Sequence, residues 1–413
     1  MTLSSAERAL AAYIDAHNDE AIALLEQVVN INSGTMNLEG VRAVGRVFRA
    51  ELERLGFAAQ WVDQSAVGRA GHLIAERSGP KPKILLIGHL DTVFEQDSPF
   101  QRFERIDADT ARGPGVIDMK GGDVVMLQAL KALDAAGLLA SLHLAVALMG
   151  DEEQQGHPRG AARAPLVAAA KGAHAAIGFE NGDSDPRHVV TARRGTATWE
   201  LRVSGQPGHS AQIFSAEIGA GAVFEAARIL EAMRASLAGQ AHLTFNPGLF
   251  VGGTEVDVDA AHSRGSAAGK TNVVAAEARV RGDLRARSAE QFVGARAAME
   301  DIAGRPLPGT TATLTFDEGY PPMALTAGNT RLLEMYDRVS RDLGFPPVTA
   351  VSPDRAGAAD VSFVAGEVPM ILDAIGLKGR DDHSPQETAD LRTLPMQTKR
   401  AAVFLHRLAQ ALR

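Results

Sequence analysis

Ile84-Leu85-Leu86-Ile87-Gly88-His89-Leu90-Asp91 is the stretch that sets the fold. Four apolar residues without alternation read as a strand buried on both faces, the kind found in parallel sheets covered by helices. A glycine, a histidine and an aspartate follow. Leu142 to Met149, Ala173 to Phe179 and Val368 to Ile375 are similar apolar runs. Helical stretches at 121–136 and 160–171 separate the earlier ones. The alternation predicts an α/β domain with a mixed, largely parallel sheet and helices on both faces. Upstream, Leu10, Ile14, Ile22, Leu24, Leu25, Val28 and Val29 recur near helical spacing and predict a helix over 5–31. A second helix is expected over 39–56, stopped by Gly56.

Between about 193 and 320 the pattern changes. Thr196 to Ser204 alternates, with Trp199, Leu201 and Val203 against Thr198, Glu200 and Arg202. A helix at about 215–237, strands near 241–251 and 272–286, a helix at 288–303 and a strand from Thr311 to Phe316 complete a β-α-β-β-α-β order. We read 193–320 as an inserted α+β domain, with 1–192 and 321–413 forming the first domain. The Gly/Ala/Ser-rich stretch 262–269 is expected to be a loop.

The 413 residues carry a formal net charge of -8, which argues against a nucleic-acid binder. No apolar run approaches the ~18 residues of a membrane span. No secretory signal is visible at the amino terminus, so a cytoplasmic location is expected. With no cysteine, a metal would have to be held by histidines and carboxylates.

The polar residues just beyond the apolar runs are the candidates for chemistry, because the crevice past the carboxyl ends of the strands is where open α/β sheets bind ligands. In extended backbone His89 and Asp91 point the same way. Asp91 can then accept a hydrogen bond from His89 and fix its tautomer; the alternative is a solvated turn. Gly113-Pro114-Gly115-Val116-Ile117-Asp118-Met119-Lys120-Gly121-Gly122 places an aspartate at the centre of a glycine-rich loop. Asp118 can bridge two metals with its two oxygens, or cap the helix that follows. Asp151-Glu152-Glu153 sets three acids side by side. Their mutual repulsion asks for a cation unless the turn is solvated. One glutamate can ligate while its neighbour faces a water as general base. Glu180 and His383 are individually weak candidates.

Taken in order, His89 to Val93, Gly113 to Gly122, Met149 to Glu153, Gly178 to Asn181 and Asp381 to Glu387 resemble the dinuclear-zinc exopeptidase and deacylase family. It includes glutamate carboxypeptidases of the carboxypeptidase G type, succinyl-diaminopimelate desuccinylase, acetylornithine deacetylase and aminoacylase. The resemblance implies two zinc ions per subunit, with cobalt or manganese as substitutes. Asp118 would bridge them, His89 and Glu180 would complete one site, and Glu153 and His383 the other. It implies Asp91 as the orienter of His89, Glu152 as general base, and a cis peptide at Asp118–Met119. In the inserted domain, His209 of Gly205-Gln206-Pro207-Gly208-His209-Ser210 resembles an oxyanion-stabilising histidine that reaches across a dimer. Asn272 of Lys270-Thr271-Asn272-Val273-Val274 resembles a substrate-binding asparagine. Arg285 of Gly282-Asp283-Leu284-Arg285 resembles an arginine that grips a carboxylate. Gly357-Ala358-Ala359-Asp360 departs from the family's Gly-Gly-Thr-Asp, which points to a different substrate end of the pocket. Met119 stands where many relatives carry a second aspartate. The implied activity is amide hydrolysis that releases a C-terminal amino acid from a small substrate with a free carboxylate. The implied assembly is a homodimer through the inserted domain. An N-acyl-amino-acid deacylase is the alternative, and an inactive metal-binding scaffold is a remote one.

Overall fold

The computed structural model describes residues 3–260 and 262–412; Met1, Thr2, Ala261 and Arg413 lie outside the described residues. The chain divides into two compact units, Met1–Ala192 with Leu325–Arg413, and Arg193–Ala324.

The first unit opens with helices α1 (Ser5–Ala16), α2 (Asn18–Val29) and α3 (Leu38–Arg54). The single helix expected over 5–31 is therefore two. At His17 the backbone leaves the helical region, with φ -115° and ψ 18°, and its ring stacks on Tyr13 while bonding the Tyr13 carbonyl. Strands β1 (Ala58–Gln64) and β2 (Arg69–Arg77) form an antiparallel hairpin that the apolar runs did not announce. β1 is half exposed and carries Gln60, Asp63 and Gln64, the composition of a sheet edge. Then come β3 (Lys83–His89), α4 (Lys120–Ala135), β4 (His143–Met149), α5 (Arg159–Ala170) and β5 (Ala175–Gly178).

The second unit follows with β6 (Gly195–Gly205), α6 (Gly221–Leu237), β7 (Thr244–Gly253), β8 (Glu255–Asp259), β9 (Arg264–Ala268), β10 (Glu277–Ala286), α7 (Ala289–Ala303) and β11 (Thr310–Glu318). Its sheet runs β7-β10-β6-β11, all antiparallel. One face packs Trp199, Leu201, Val203, Val280 and Leu284 against Ile229, Met233 and Met299 of the two helices. The stretch expected to be a loop, 262–269, contributes β9 instead, which pairs with β8 as an added hairpin. Its small residues alternate with nothing to bury, so periodicity gave no signal there.

The chain returns to the first unit with α8 (Ala327–Asp342), β12 (Ile371–Leu372) and α9 (Thr393–Ala411). Only two residues of the run Val368 to Ile375 pair as strand. The six-stranded sheet is ordered β1-β2-β4-β3-β5-β12; β4, β3, β5 and β12 are mutually parallel, and β2 is antiparallel to both its neighbours, β4 and β1. Ile84, Leu86, Leu144, Val146 and Leu148 join the core under the terminal helices and α4, while Leu85, Ile87, Ala145 and Ala147 are buried on the opposite face, toward α5. Each buried Leu, Ile or Val side chain stabilises the fold by roughly 1.5–3 kcal/mol. That double burial makes β3 a rigid base for His89. Among the described residues no helix is long and apolar enough to cross a membrane.

Candidate metal centre

The parallel strands end on one edge, and their ends supply the site. His89 is the last residue of β3; Asp151, Glu152 and Glu153 follow β4; Glu180 lies two residues beyond β5. Two glycines fix this last position. A Cβ on Gly122, in the first turn of α4, or on Gly376 would stand 1.9 Å from the Phe179 carbonyl oxygen. Only glycine lets both segments close around Phe179 and present the next residue, Glu180.

Asp118 is the centre of the arrangement. Its Oδ1 lies 3.1 Å from His89 Nε2 and its Oδ2 lies 3.0 Å from His383 Nε2. Each histidine meets a glutamate of its own. His89 Nε2 is 3.7 Å from Glu180 Oε1, and His383 Nε2 is 3.2 Å from Glu153 Oε2. Residues from 89 to 383 thus converge on one carboxylate. The Asp118–Met119 peptide is cis.

The loop carrying Asp118 is held by Glu387, a residue quoted in the sequence motif but given no role. Its buried carboxylate accepts hydrogen bonds from the backbone N–H groups of Gly115 (2.9 Å), Ile117 (2.8 Å) and Asp118 (3.2 Å). Asp91 differs from expectation in its detail. His89 Nδ1 bonds the Asp91 main-chain carbonyl at 3.0 Å, while the carboxylate stands at 3.5 Å. The carboxylate is committed elsewhere: it accepts from Thr35 Oγ1 at 2.7 Å and from the N–H groups of Glu152 (3.0 Å) and Glu153 (3.1 Å). Asp91 therefore ties the histidine-bearing strand to the acid turn. Thr35, Glu387 and the buried Arg163 lie far from the motifs they serve, and only Glu387, four residues after His383, had a positional signal.

The electrostatics are those of a site short of positive charge. Burial, then the Asp360 carboxylate, push Glu152 well above the ordinary range. Burial and the Asp118 charge push Glu153 up to about 7, and burial also raises Glu180. Burial works against charge on Asp118, yet hydrogen bonds from His383 and His89 hold it well below the usual carboxylate range. Hydrogen bonds to Asp118 and Glu153 push the His383 imidazole up to about 11. Protons are standing in where a cation would otherwise balance the acids. Glu153 Oε1 is buried and has no hydrogen-bond partner. His89, Asp118 and Glu153 offer donor atoms that all lie within 4.8 Å of one another. An imidazole and carboxylate set with an orphaned oxygen fits a divalent metal.

Comparison with known proteins agrees. The description "Peptidase family M20/M25/M40" matches residues 85–409. The chain belongs to this family. It is 26% identical over 385 residues to carboxypeptidase G2 of Pseudomonas sp. (strain RS-16), covering 92% of this chain and 87% of that protein. Among solved structures, the aminopeptidase PepT of Bacillus cereus superposes with a TM-score of 0.72 at 19% identity, covering 95% of this chain and 99% of that one. The M20 metallo-carboxypeptidase Sso-CP2 of Sulfolobus solfataricus gives 0.66 at 15% identity, with 95% and 99% covered. At these identities the structural likeness speaks for the fold alone. As a member of the M20 family the protein is a metal-dependent hydrolase.

The three M20-type residues expected in the inserted domain are all in the second unit. His209 and Asn272 are brought near each other: Ser210 N donates to the Asn272 carbonyl at 2.9 Å, and His209 bridges Val273. Both are exposed. Arg285 sits apart on β10, half-buried, with Nε 3.0 Å from Asp283 Oδ2.

Proposed function

We propose that the enzyme cleaves an amide bond to release a C-terminal amino acid, with two zinc ions held by His89, Asp118 and Glu180, and by His383, Asp118 and Glu153. The observation that carries this reading is the division of the two Asp118 oxygens between two histidines, each with its own glutamate. When bound, such a metal pair supplies Lewis acidity toward the scissile carbonyl and lowers the pKa of the attacking water.

Glu152 does the proton work. It follows β4 next to Glu153 and belongs to neither ligand set, which suits a group that takes a proton from the attacking water and delivers it to the amide nitrogen as the C–N bond breaks. That delivery is needed because an unprotonated amide nitrogen leaves poorly. Arg285 binds the substrate's free carboxylate, exchanging its contact with Asp283 for a bidentate one. His209 stabilises the developing oxyanion and Asn272 contacts the substrate.

The likeness to carboxypeptidase G2 over 92% of this chain supports peptidyl or N-acyl amino acids that release a C-terminal amino acid as the substrate class. The assembly proposed is a dimer of the second unit. Phe214, Phe224 and Phe250 are exposed there, and β7 offers a sheet edge. Scattering or sizing that shows only monomer would count against His209 acting across subunits.

The test is a panel of N-acetyl amino acids, alanyl dipeptides and their methyl esters, assayed after chelation and zinc restoration. Dipeptides with a free carboxylate are expected to be cleaved fastest. Equal cleavage of acids and esters would remove Arg285 as the anchor. Preference for N-acetyl amino acids over dipeptides would make the enzyme a deacylase. A Glu152→Gln variant is expected to lose about 10²–10⁴-fold in kcat.

A further inference from the structure

Arg163, on α5, has a side chain only 1% exposed and takes no part in the chemistry above. Its guanidinium joins Asp151 and Asp360, in segments more than two hundred residues apart. Nη1 donates to Asp151 Oδ1, and Nη2 donates to the Asp151 carbonyl at 3.1 Å. Nε donates to Asp360 Oδ1 at 2.7 Å. Phe363, in the turn that Asp360 opens, lies over its face, 5.4 Å from the ring centre.

Each acceptor has a place beside the metal centre. Asp151 precedes Glu152. Its other oxygen accepts from Gly156 N at 2.8 Å, so the carboxylate is the hub of the acid turn. His72 fastens the same turn to α5: Gly150 N donates to its Nδ1 at 3.1 Å, and its Nε2 faces the Ala162 carbonyl at 2.9 Å. Asp360 lines a small cavity, about 10 Å³, together with His89 and Glu180. Its Oδ2 is buried without a hydrogen-bond partner. It ends the stretch Gly357-Ala358-Ala359-Asp360, which departs from the family pattern.

As a stabilising device this triad is poor. Burying one guanidinium with two carboxylates incurs a desolvation cost that the ion pairs barely offset, and an apolar replacement often serves as well. The geometry serves position better. A planar fork can hold two carboxylates in fixed directions, which a lysine ammonium cannot.

We propose that Arg163 is a positioning residue for Glu152: it locks the acid turn to the 357–360 segment, so that displacement of that segment moves the base. This rests on the reading of Glu152 as general base.

The test uses the full-length, zinc-restored enzyme and the substrate that the panel selects, with Arg163→Lys, Arg163→Met, Asp360→Asn and Glu152→Gln. Arg163→Lys is expected to lower kcat by about 10²-fold, the effect of misplacing a catalytic group by about 1 Å. KM is expected to stay within a few-fold and metal content to remain that of the parent. Hydrogen–deuterium exchange supplies a readout free of activity. Asp360→Asn is expected to raise exchange in the peptide spanning 150–156, although the substitution lies two hundred residues away in sequence. If that exchange and kcat are unchanged in Asp360→Asn and Arg163→Lys while Glu152→Gln is inactive, the positioning role is wrong and the base stands. If activity falls only in proportion to lost metal, the network serves the ligands and the proposal is overturned. If Glu152→Gln retains activity, the base reading fails and takes the proposal with it. Should Arg163→Met not fold, the lysine and asparagine variants decide.

Discussion

The two halves of the proposed metal centre share Asp118 and differ in almost everything else. The His89 side chain is 1% exposed and ends a strand buried on both faces, whereas the His383 side chain is 56% exposed and stands on a loop with φ +57°. His89 is fixed through its second nitrogen by the Asp91 carbonyl. Around His383 the supports are loop contacts, such as Asn181 Nδ2 to Asp382 Oδ2 at 2.9 Å and Ser384 Oγ to the Asp381 carbonyl at 2.7 Å. One ligand is placed by the core, the other by a surface loop that must bring it to Asp118. The lesson is that one carboxylate, the proposed bridge, meets a histidine set in the core on one side and a histidine carried by an exposed loop on the other.

The largest effect is expected from the shared residue. Asp118→Asn should abolish metal binding on both sides and lower kcat/KM by on the order of 10³-fold or more, since a metal pair supplies several kcal/mol of transition-state stabilisation. Metal analysis of the purified variant checks this. Retention of one tightly held ion would show that the halves do not depend on a common bridge.

The histidines should then separate. His383→Ala is expected to keep the metal on the His89 side and lose the other, with a smaller drop in the metal-free melting temperature than at His89, because it gives up only the contacts with Asp118 and Glu153. His89→Ala should lose the inner metal and also destabilise the fold by about 1–3 kcal/mol, because it empties a buried position. Equal metal loss and equal melting shifts in the two variants would erase the distinction between core-placed and loop-placed ligands.

The same contrast describes what the sequence disclosed. His89 and the acid turn were legible because Ile84 to Ile87 and Leu144 to Met149 are continuous apolar runs, which read as strands buried on both faces. The polar residues at their ends were therefore located before any contact was known. Glu180 and His383 rested on family resemblance, and His383 lies eleven residues past β12, where no periodicity points to it. β1 escaped because an edge strand buries little, β2 because Arg69, His72 and Glu76 interrupt its apolar residues, and β8–β9 because neither strand is buried. The supports were least legible of all. Arg163, Thr35 and Glu387 act through contacts whose sequence separations only the fold can close. Asp91 shows a subtler difference: its carbonyl bonds the His89 ring, while its carboxylate, 3.5 Å from the same nitrogen, accepts from the acid turn.

Glu387 sharpens the comparison at a smaller scale, because it comes from the His383 side and holds the bridge. Its two oxygens accept three backbone N–H groups of the Asp118 loop. Glu387→Gln replaces one acceptor oxygen with a donor and leaves part of that set unmatched. Metal affinity is expected to fall by about 10–100-fold at both positions, the usual consequence of losing a support behind a ligand. Competition with a chelator of known affinity measures it. A loss confined to the His383 side would mean that Glu387 steadies its own loop and not the bridge.

The smallest effect concerns protons. In the metal-free protein His383 is held protonated up to about pH 11 by Asp118 and Glu153, whereas an ordinary histidine titrates near 6.5. Ligation requires the neutral ring, so metal binding must expel that proton. Calorimetry in two buffers of different ionisation enthalpy at pH 8–9 should therefore register release of about one proton from this side. His383→Ala should remove that release, and with an unperturbed histidine there would be none to see at this pH. The sign for folding runs the other way. A raised pKa means the His383–Asp118–Glu153 contact stabilises the metal-free fold fully below pH 6.5, and that contribution is lost as pH rises through about 11. Metal-loaded protein has already given up the proton and should lack this dependence, so the stability curves of the two forms should diverge as the pH is raised. Parallel curves would place the proton elsewhere and leave the exposed histidine an ordinary one.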